Sequence, residues 1–88
     1  MVGVEEKMNE VDEFLNSNLE PYEDFHLTSK VTPREVREYL EKLGWEYSDY
    51  DMDYWNKWAY FFNHISEKRL GLSIDLEEFK MYLYWMGD

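Results

Sequence analysis

Three observations in this 88-residue sequence predict an all-α fold, a compact domain of three to four helices. Apolar residues recur three and four positions apart over several stretches, the spacing of one helix face. Helix-start signals, Thr32 with Glu35 and Asp75 with Glu78, precede two of those stretches. Gly44 and Gly71 stand where helices should stop.

The first helix is expected over residues 4–17. Val4, Met8, Val11, Phe14 and Leu15 mark one face, and Glu5, Glu6, Glu10, Asp12 and Glu13 fill the rest. Carboxylates early in a helix suit its positive end. "NSNLEPYEDF" ends it, because Asn and Ser favour turns and Pro21 disfavours helix at Glu20. The piece "FHLTSKVT", residues 25–32, is ambiguous. Its β-branched residues allow a short extended segment, but such a segment needs a partner strand and none is evident. An α+β fold with one or two short strands within residues 20–31 is therefore the alternative.

The second helix is the best defined. In "TPREVREYLEKLGW", Thr32 is the N-cap, Pro33 takes the first helical position and Glu35 completes a capping box. Val36, Tyr39, Leu40 and Leu43 form its apolar stripe. Gly44 suits the left-handed residue after the helix, with Trp45 folding back onto it. A third helix is expected over residues 50–69, capped by Ser48 or Asp49, with Tyr54, Trp55, Trp58, Ala59, Phe61, Phe62 and Ile65 on a wide apolar face. A fourth is expected over residues 76–86, with Leu72, Leu76, Phe79, Leu83 and Met86 on its stripe. Tyr82, Tyr84 and Trp85 then lie on its other sides, making an adhesive surface for self-association. No repeat or linker divides the chain, so residues 1–88 read as a single helical domain.

Composition narrows the function. Twenty acids against nine bases give a net charge of −11, which repels nucleic acid and anionic membrane and attracts basic surfaces. Cysteine is absent, so there is no disulfide framework or thiolate metal site. No apolar run approaches the roughly 20 residues of a membrane span, and "MVGVEEKM" is too acidic for a signal peptide. A cytoplasmic location is expected. The alternating Asp49, Asp51 and Asp53 resemble the start of a calcium loop. Tyr54 stands where such a loop needs glycine, however, and Tyr60 where it needs a bidentate glutamate. In "EKRLGLSIDLEE", Arg69 occupies a ligand position. No metal and no cofactor are expected. His26 and His64 are the only histidines, and no nucleophile, phosphate-loop or dinucleotide signature occurs, so the chain does not read as an enzyme.

The acids are segregated. Residues 5–24 carry eight acids and one base, Lys7. Residues 46–53 carry four acids and no base, whereas residues 57–80 balance four bases against four acids. Carboxylates two apart on an extended segment stand about 6.6 Å apart, comparable to successive phosphates on a nucleic acid strand. "EEKMNEVDEF", "LEPYEDF" and "WEYSDYDMDYW" interleave acid with Tyr and Trp in a short chain without cysteine. In class and composition this resembles the small phage- or virus-encoded inhibitors that mimic nucleic acid, anti-CRISPR and anti-restriction proteins among them. The resemblance covers about half the chain, carries no family motif and transfers no functional residue. It implies a non-enzymatic inhibitor that sequesters a basic nucleic-acid-binding protein or enzyme in the host cytoplasm, without binding nucleic acid itself. The residues expected to form the partner-binding edge are Glu46, Tyr47, Asp49, Tyr50, Asp51 and Asp53, together with Glu20, Glu23 and Asp24. The alternative is an interaction module, with Tyr82, Tyr84 and Trp85 supporting a homodimer.

Overall fold

The computed structural model describes residues 7–28, 30–52, 57–64 and 66–87. Its main element is a five-stranded antiparallel sheet accompanied by two short helices, so the all-α helical bundle is corrected. In chain order the elements are α1 (Asn9–Leu15), β1 (Phe25–Leu27), α2 (Pro33–Lys42), β2 (Glu46–Met52), β3 (Lys57–Asn63), β4 (Arg69–Asp75) and β5 (Lys80–Trp85). The strands are ordered β1-β5-β4-β3-β2, which leaves β1 and β2 as the two edges.

Helix α2 forms as its local signals dictate. Glu35 N–H donates to the Thr32 hydroxyl at 3.1 Å, and Thr32 N–H donates to the Glu35 carboxylate at 3.0 Å. The Thr32 N–H first, and the Thr32 hydroxyl second, hold the Glu35 carboxyl below its ordinary pKa, with Lys7 adding to the effect. At the other end Gly44 takes φ 98°. Trp45 N–H reaches back to the Leu40 carbonyl and Gly44 N–H to that of Glu41, the paired bonds of a Schellman stop.

The third and fourth expected helices are strands. In "KWAYFFN" and "KMYLYW" the core-facing residues, Tyr60 and Phe62, then Met81, Leu83 and Trp85, fall at every second position, the period of a strand with one buried face. Asp75 does cap a turn, accepting from the N–H groups of Glu77 and Glu78 at 2.9 and 3.1 Å. After one turn Phe79 adopts φ 57°, its N–H bonded to the Asp75 carbonyl, and the chain reverses into β5. Phe79 is 83% exposed there and belongs to no stripe. Beside it, Glu78 hydrogen-bonds Lys80 and raises the pKa of that ammonium. The ambiguous segment forms β1 at Phe25–Leu27, and its partner is β5 at the far end of the chain.

Both helices cover the same face of the sheet. Met8, Val11 and Phe14 from α1 and its approach, and Val36, Tyr39 and Leu40 from α2, join Leu27, Phe62, Leu70, Leu72, Met81 and Leu83 in one core. Phe14 stacks on Trp85 with centroids 4.6 Å apart. Polar bonds fasten α1: the Tyr39 hydroxyl donates to Asp12 at 2.6 Å, and Thr28 bonds Glu10.

Among the described residues, the opposite face has no helix. Its register rows run Tyr84–Gly71–Phe61–Asp49 and His26–Tyr82–Ser73–Ala59–Asp51. Gly71 lies beneath the Tyr84 ring, and a Cβ there would stand 2.2 Å from the ring carbon Cζ. The aromatic ring thus shields a strand glycine that has no side chain of its own.

That packing predicts a sign change. Gly71→Ala should destabilise the native chain by about 1 kcal/mol, because the Tyr84 ring must move. In a Tyr84→Ala background the same change should stabilise, since alanine suits a strand better than an uncovered glycine. Urea unfolding of the four proteins checks it. Thr32→Ala should cost about 1 kcal/mol. Glu35→Gln should lower stability at neutral pH. Because the folded pKa of Glu35 is depressed, its contribution is present above the ordinary carboxylate range and fades as pH falls through the lowered value. The two unfolding curves should therefore converge in acid.

Candidate functional site

The residues expected to form one acidic edge divide into two groups. Glu46, Tyr47, Asp49, Tyr50 and Asp51 belong to β2, at one edge of the sheet, whereas Asp53 lies outside the described residues. Glu20, Glu23 and Asp24 lie in the connection from α1 to β1, beside the other edge. At the usual strand spacing, four inter-strand steps separate the edges by about 19 Å. The two groups therefore do not converge on one surface.

A β-bulge arranges the β2 group. Tyr47 pairs with Phe62 and Asp49 pairs with Phe61, so Ser48 is the extra residue. Its hydroxyl donates to the Phe61 carbonyl at 3.1 Å. Strict alternation would place Tyr47, Asp49 and Asp51 on one face. The extra residue reverses the parity after Tyr47. Tyr47, Tyr50 and Met52 then stand opposite Phe62, Tyr60 and Trp58, and Glu46, Asp49 and Asp51 stand opposite Asn63, Phe61 and Ala59. The three acids fall in the rows of the face without helices. In a helix, residues two apart diverge; on this strand Asp49 and Asp51 share a face.

Tyr47 has a structural task. It is half-buried, with the Arg37 guanidinium 4.2 Å from its ring centroid and the rings of Tyr60 and Phe62 within 5.9 Å. That cation–π contact ties the start of β2 to α2. Arg37 also bonds Glu41 at 2.7 Å, so one guanidinium serves both partners. Glu46 is exposed and borders a hollow of about 400 Å³ shared with Gly44, Asn63 and His64. His64 packs its ring on Trp45 with centroids 4.8 Å apart. Its Nδ1 accepts from Ser66 N–H at 3.1 Å, which leaves the proton of the neutral ring on Nε2. The Ser66 hydroxyl lies 2.8 Å from the same Nδ1, and no carboxylate is bonded to the ring among the described residues.

The second acidic group is an exposed turn. Tyr22 takes φ 65°, and its N–H bonds the Trp85 carbonyl at 2.8 Å, extending the ladder one step beyond β1. Glu23 accepts from Glu20 N–H at 3.1 Å, which closes the turn on itself. The aromatic trio splits as well. Tyr82 and Tyr84 lie on the open face, against His26 and Tyr22 respectively, whereas Trp85 stacks on Phe14 in the helix-covered layer. No group of three metal-binding side chains occurs among the described residues, and no helix there is long and apolar enough to cross a membrane. Comparison with protein-family models, curated proteins and solved structures finds no match for this chain.

Sequence reasoning offers Ser48 only as a helix cap and Arg37 only as the i,i+4 partner of Glu41, and foresees neither the bulge nor the contact with Tyr47. The signal for the bulge was present: Tyr47, Tyr50 and Met52 can share a face only with one added residue. Deleting Ser48 should therefore lower stability by about 3 kcal/mol or unfold the chain, since every later β2 residue changes face. Ser48→Gly keeps the count and loses only an exposed hydroxyl bond, so it should cost less than about 1 kcal/mol. Chemical denaturation distinguishes the two.

Proposed function

We propose that this chain is a non-enzymatic binding protein, whose acidic strand β2 engages a basic nucleic-acid-binding surface on a partner protein in the manner of a nucleic acid mimic. The observation that carries this reading is the placement of Glu46, Asp49 and Asp51 on an edge strand, at register positions of the face without helices. Asp49 and Asp51 are two residues apart on a strand, which spaces them about 6.8 Å along it. A strand inside a rigid sheet holds such spacing without an ordering cost on binding. The net charge of −11 supplies the long-range field that speeds encounter with a basic partner. His64 Nδ1 meets the Ser66 hydroxyl at 2.8 Å, but it also accepts the Ser66 N–H of the same exposed turn and no carboxylate orients the ring among the described residues, so a binding role accounts for the residues better than catalysis. A host-cytoplasmic setting follows from the same reading.

A second reading rests on a separate observation. Tyr82 and Tyr84 are half-buried on the open face, and two such faces could join in a homodimer. Trp85 has no place in that contact, because its ring is stacked against Phe14. Tyr82→Ser lowering the mass measured by sedimentation would favour this alternative.

For the leading reading, low-salt capture should recover nucleic-acid-binding proteins that DNA or RNA competes away. Asp49→Lys with Asp51→Lys should weaken binding at least about tenfold with the fold intact by circular dichroism. Reversing Glu20, Glu23 and Asp24 should do less, because they stand at the other edge. Binding that ignores salt, or a β2 double variant that binds normally, overturns the proposal.

A further inference from the structure

A cleft of about 440 Å³ opens where three segments meet at one end of the sheet: the chain leaving α1, the β3–β4 connection and the end of β5. Ser17, Asn18, Lys68, Arg69, Trp85 and Gly87 are among the residues that line it. In a chain of net charge −11, this end brings two cations together. Lys7, Arg34, Arg37 and Lys80 each form an ion pair with a glutamate, and Lys30 and Lys42 are exposed singly. Lys68 and Arg69 are adjacent, exposed and bonded to no carboxylate among the described residues. Arg69 spends only its Nε on the Asn63 side-chain amide oxygen Oδ1, at 2.9 Å. Lys68 holds its ammonium 5.7 Å from the centroid of the Trp85 ring.

The floor of the cleft is held in place. Trp85 is stacked on Phe14 and donates its indole N–H to the Ser17 hydroxyl at 3.4 Å, and that hydroxyl donates to the Phe14 carbonyl at 2.6 Å. The cations sit on a tight connection: Glu67 takes φ 68°, and His64 N–H bonds the Lys68 carbonyl at 2.9 Å. Met86 N–H bonds the Arg69 carbonyl at 3.0 Å and fastens that connection to β5. The site is thus anchored to both neighbouring strands.

We infer that this cleft binds a small molecule carrying an oxyanion, a phosphate group above all, on a flat apolar body. The guanidinium and ammonium groups match an oxyanion, the guanidinium by its planar fork. The volume exceeds what a bare phosphate fills and falls in the usual range for small-ligand sites. Leu19, Trp85 and Met86 add an apolar wall for the body of the ligand. Repulsion from the distant acids is screened beyond about 10 Å at 0.1 M salt, so the two cations govern the local field. Glu67, which also lines the cleft, opposes the anion. The inference is independent of the acidic strand, because β2 contributes no residue to the lining.

The test is an amide and indole NMR titration of the full chain with a nucleoside 5′-monophosphate, and in parallel with the uncharged nucleoside and with inorganic phosphate. Saturable shifts confined to Ser17–Leu19, Glu67–Arg69 and Trp85–Gly87 are expected, with a dissociation constant of about 1 mM or tighter for the monophosphate. The nucleoside and phosphate should each bind more weakly. Lys68→Gln with Arg69→Gln should weaken binding roughly tenfold or more. Glu67→Gln should strengthen it, a change that loss of folding cannot produce. Absence of saturable shifts, or equal binding by the Lys68/Arg69 double variant, overturns the inference.

Discussion

The constraint on which this structure depends is that, among the described residues, helices cover one face of the sheet only. Both helices lie on that face, so the strands send most of their large apolar residues there at alternate positions, with Phe61 in an open-face row the exception. Leu70 and Leu72 from β4, Met81 and Leu83 from β5, and Phe62 from β3 meet this demand. Helix α1 completes the layer through Phe14, whose stack on Trp85 joins the first element to the last. The open face is relieved of the need to bury and can carry charge, small residues and tyrosines. Where that face would expose the backbone at Gly71, the Tyr84 ring lies across it.

The same constraint explains β2. An edge strand presents unpaired backbone groups and invites pairing with other chains. Its two faces must also be sorted correctly, and a strand reading Tyr47-Ser48-Asp49-Tyr50-Asp51-Met52 cannot do so by simple alternation. The bulge at Ser48 solves this by adding one residue between Tyr47 and Asp49. The acids then take the open-face register positions, while Tyr47 is held against α2 by Arg37.

What was legible in the sequence follows from how local each signal is. Helix α2 was legible residue by residue, because its cap at Thr32, its box with Glu35 and its stop at Gly44 are all made within a few residues. The strands were not. "MYLYW" places aromatics all round a helical projection, the pattern of an adhesive helix, but its physical meaning is alternation, with Met81, Leu83 and Trp85 inward and Tyr82 and Tyr84 outward. The Asp75 cap was read correctly as hydrogen bonding but wrongly as the start of a helix, because a single turn closed by Phe79 uses the same bonds. Antiparallel pairing between β1 and β5 joins residues more than fifty apart, and no local pattern encodes it. For the candidate site, the concentration of acid was visible in one dimension. Its division between opposite edges required the topology.

The two edges of the sheet are protected in different ways, and the difference bears on what can bind. Edge β1 is three residues long, and beyond it Tyr22, in a left-handed conformation, makes one last bond to β5 before the chain turns away. A partner strand would find almost no ladder there. Edge β2 runs for seven residues, and only its bulge interrupts the ladder. What guards it is charge. A second copy of this chain pairing along β2 would set carboxylates near carboxylates, an arrangement that like-charge repulsion disfavours. On the reading proposed above, a basic partner would meet no such barrier and would gain from the same residues. Acid along an edge strand would then disfavour pairing along β2 and favour oppositely charged partners through one physical device, so solubilising and binding roles would not be competing explanations.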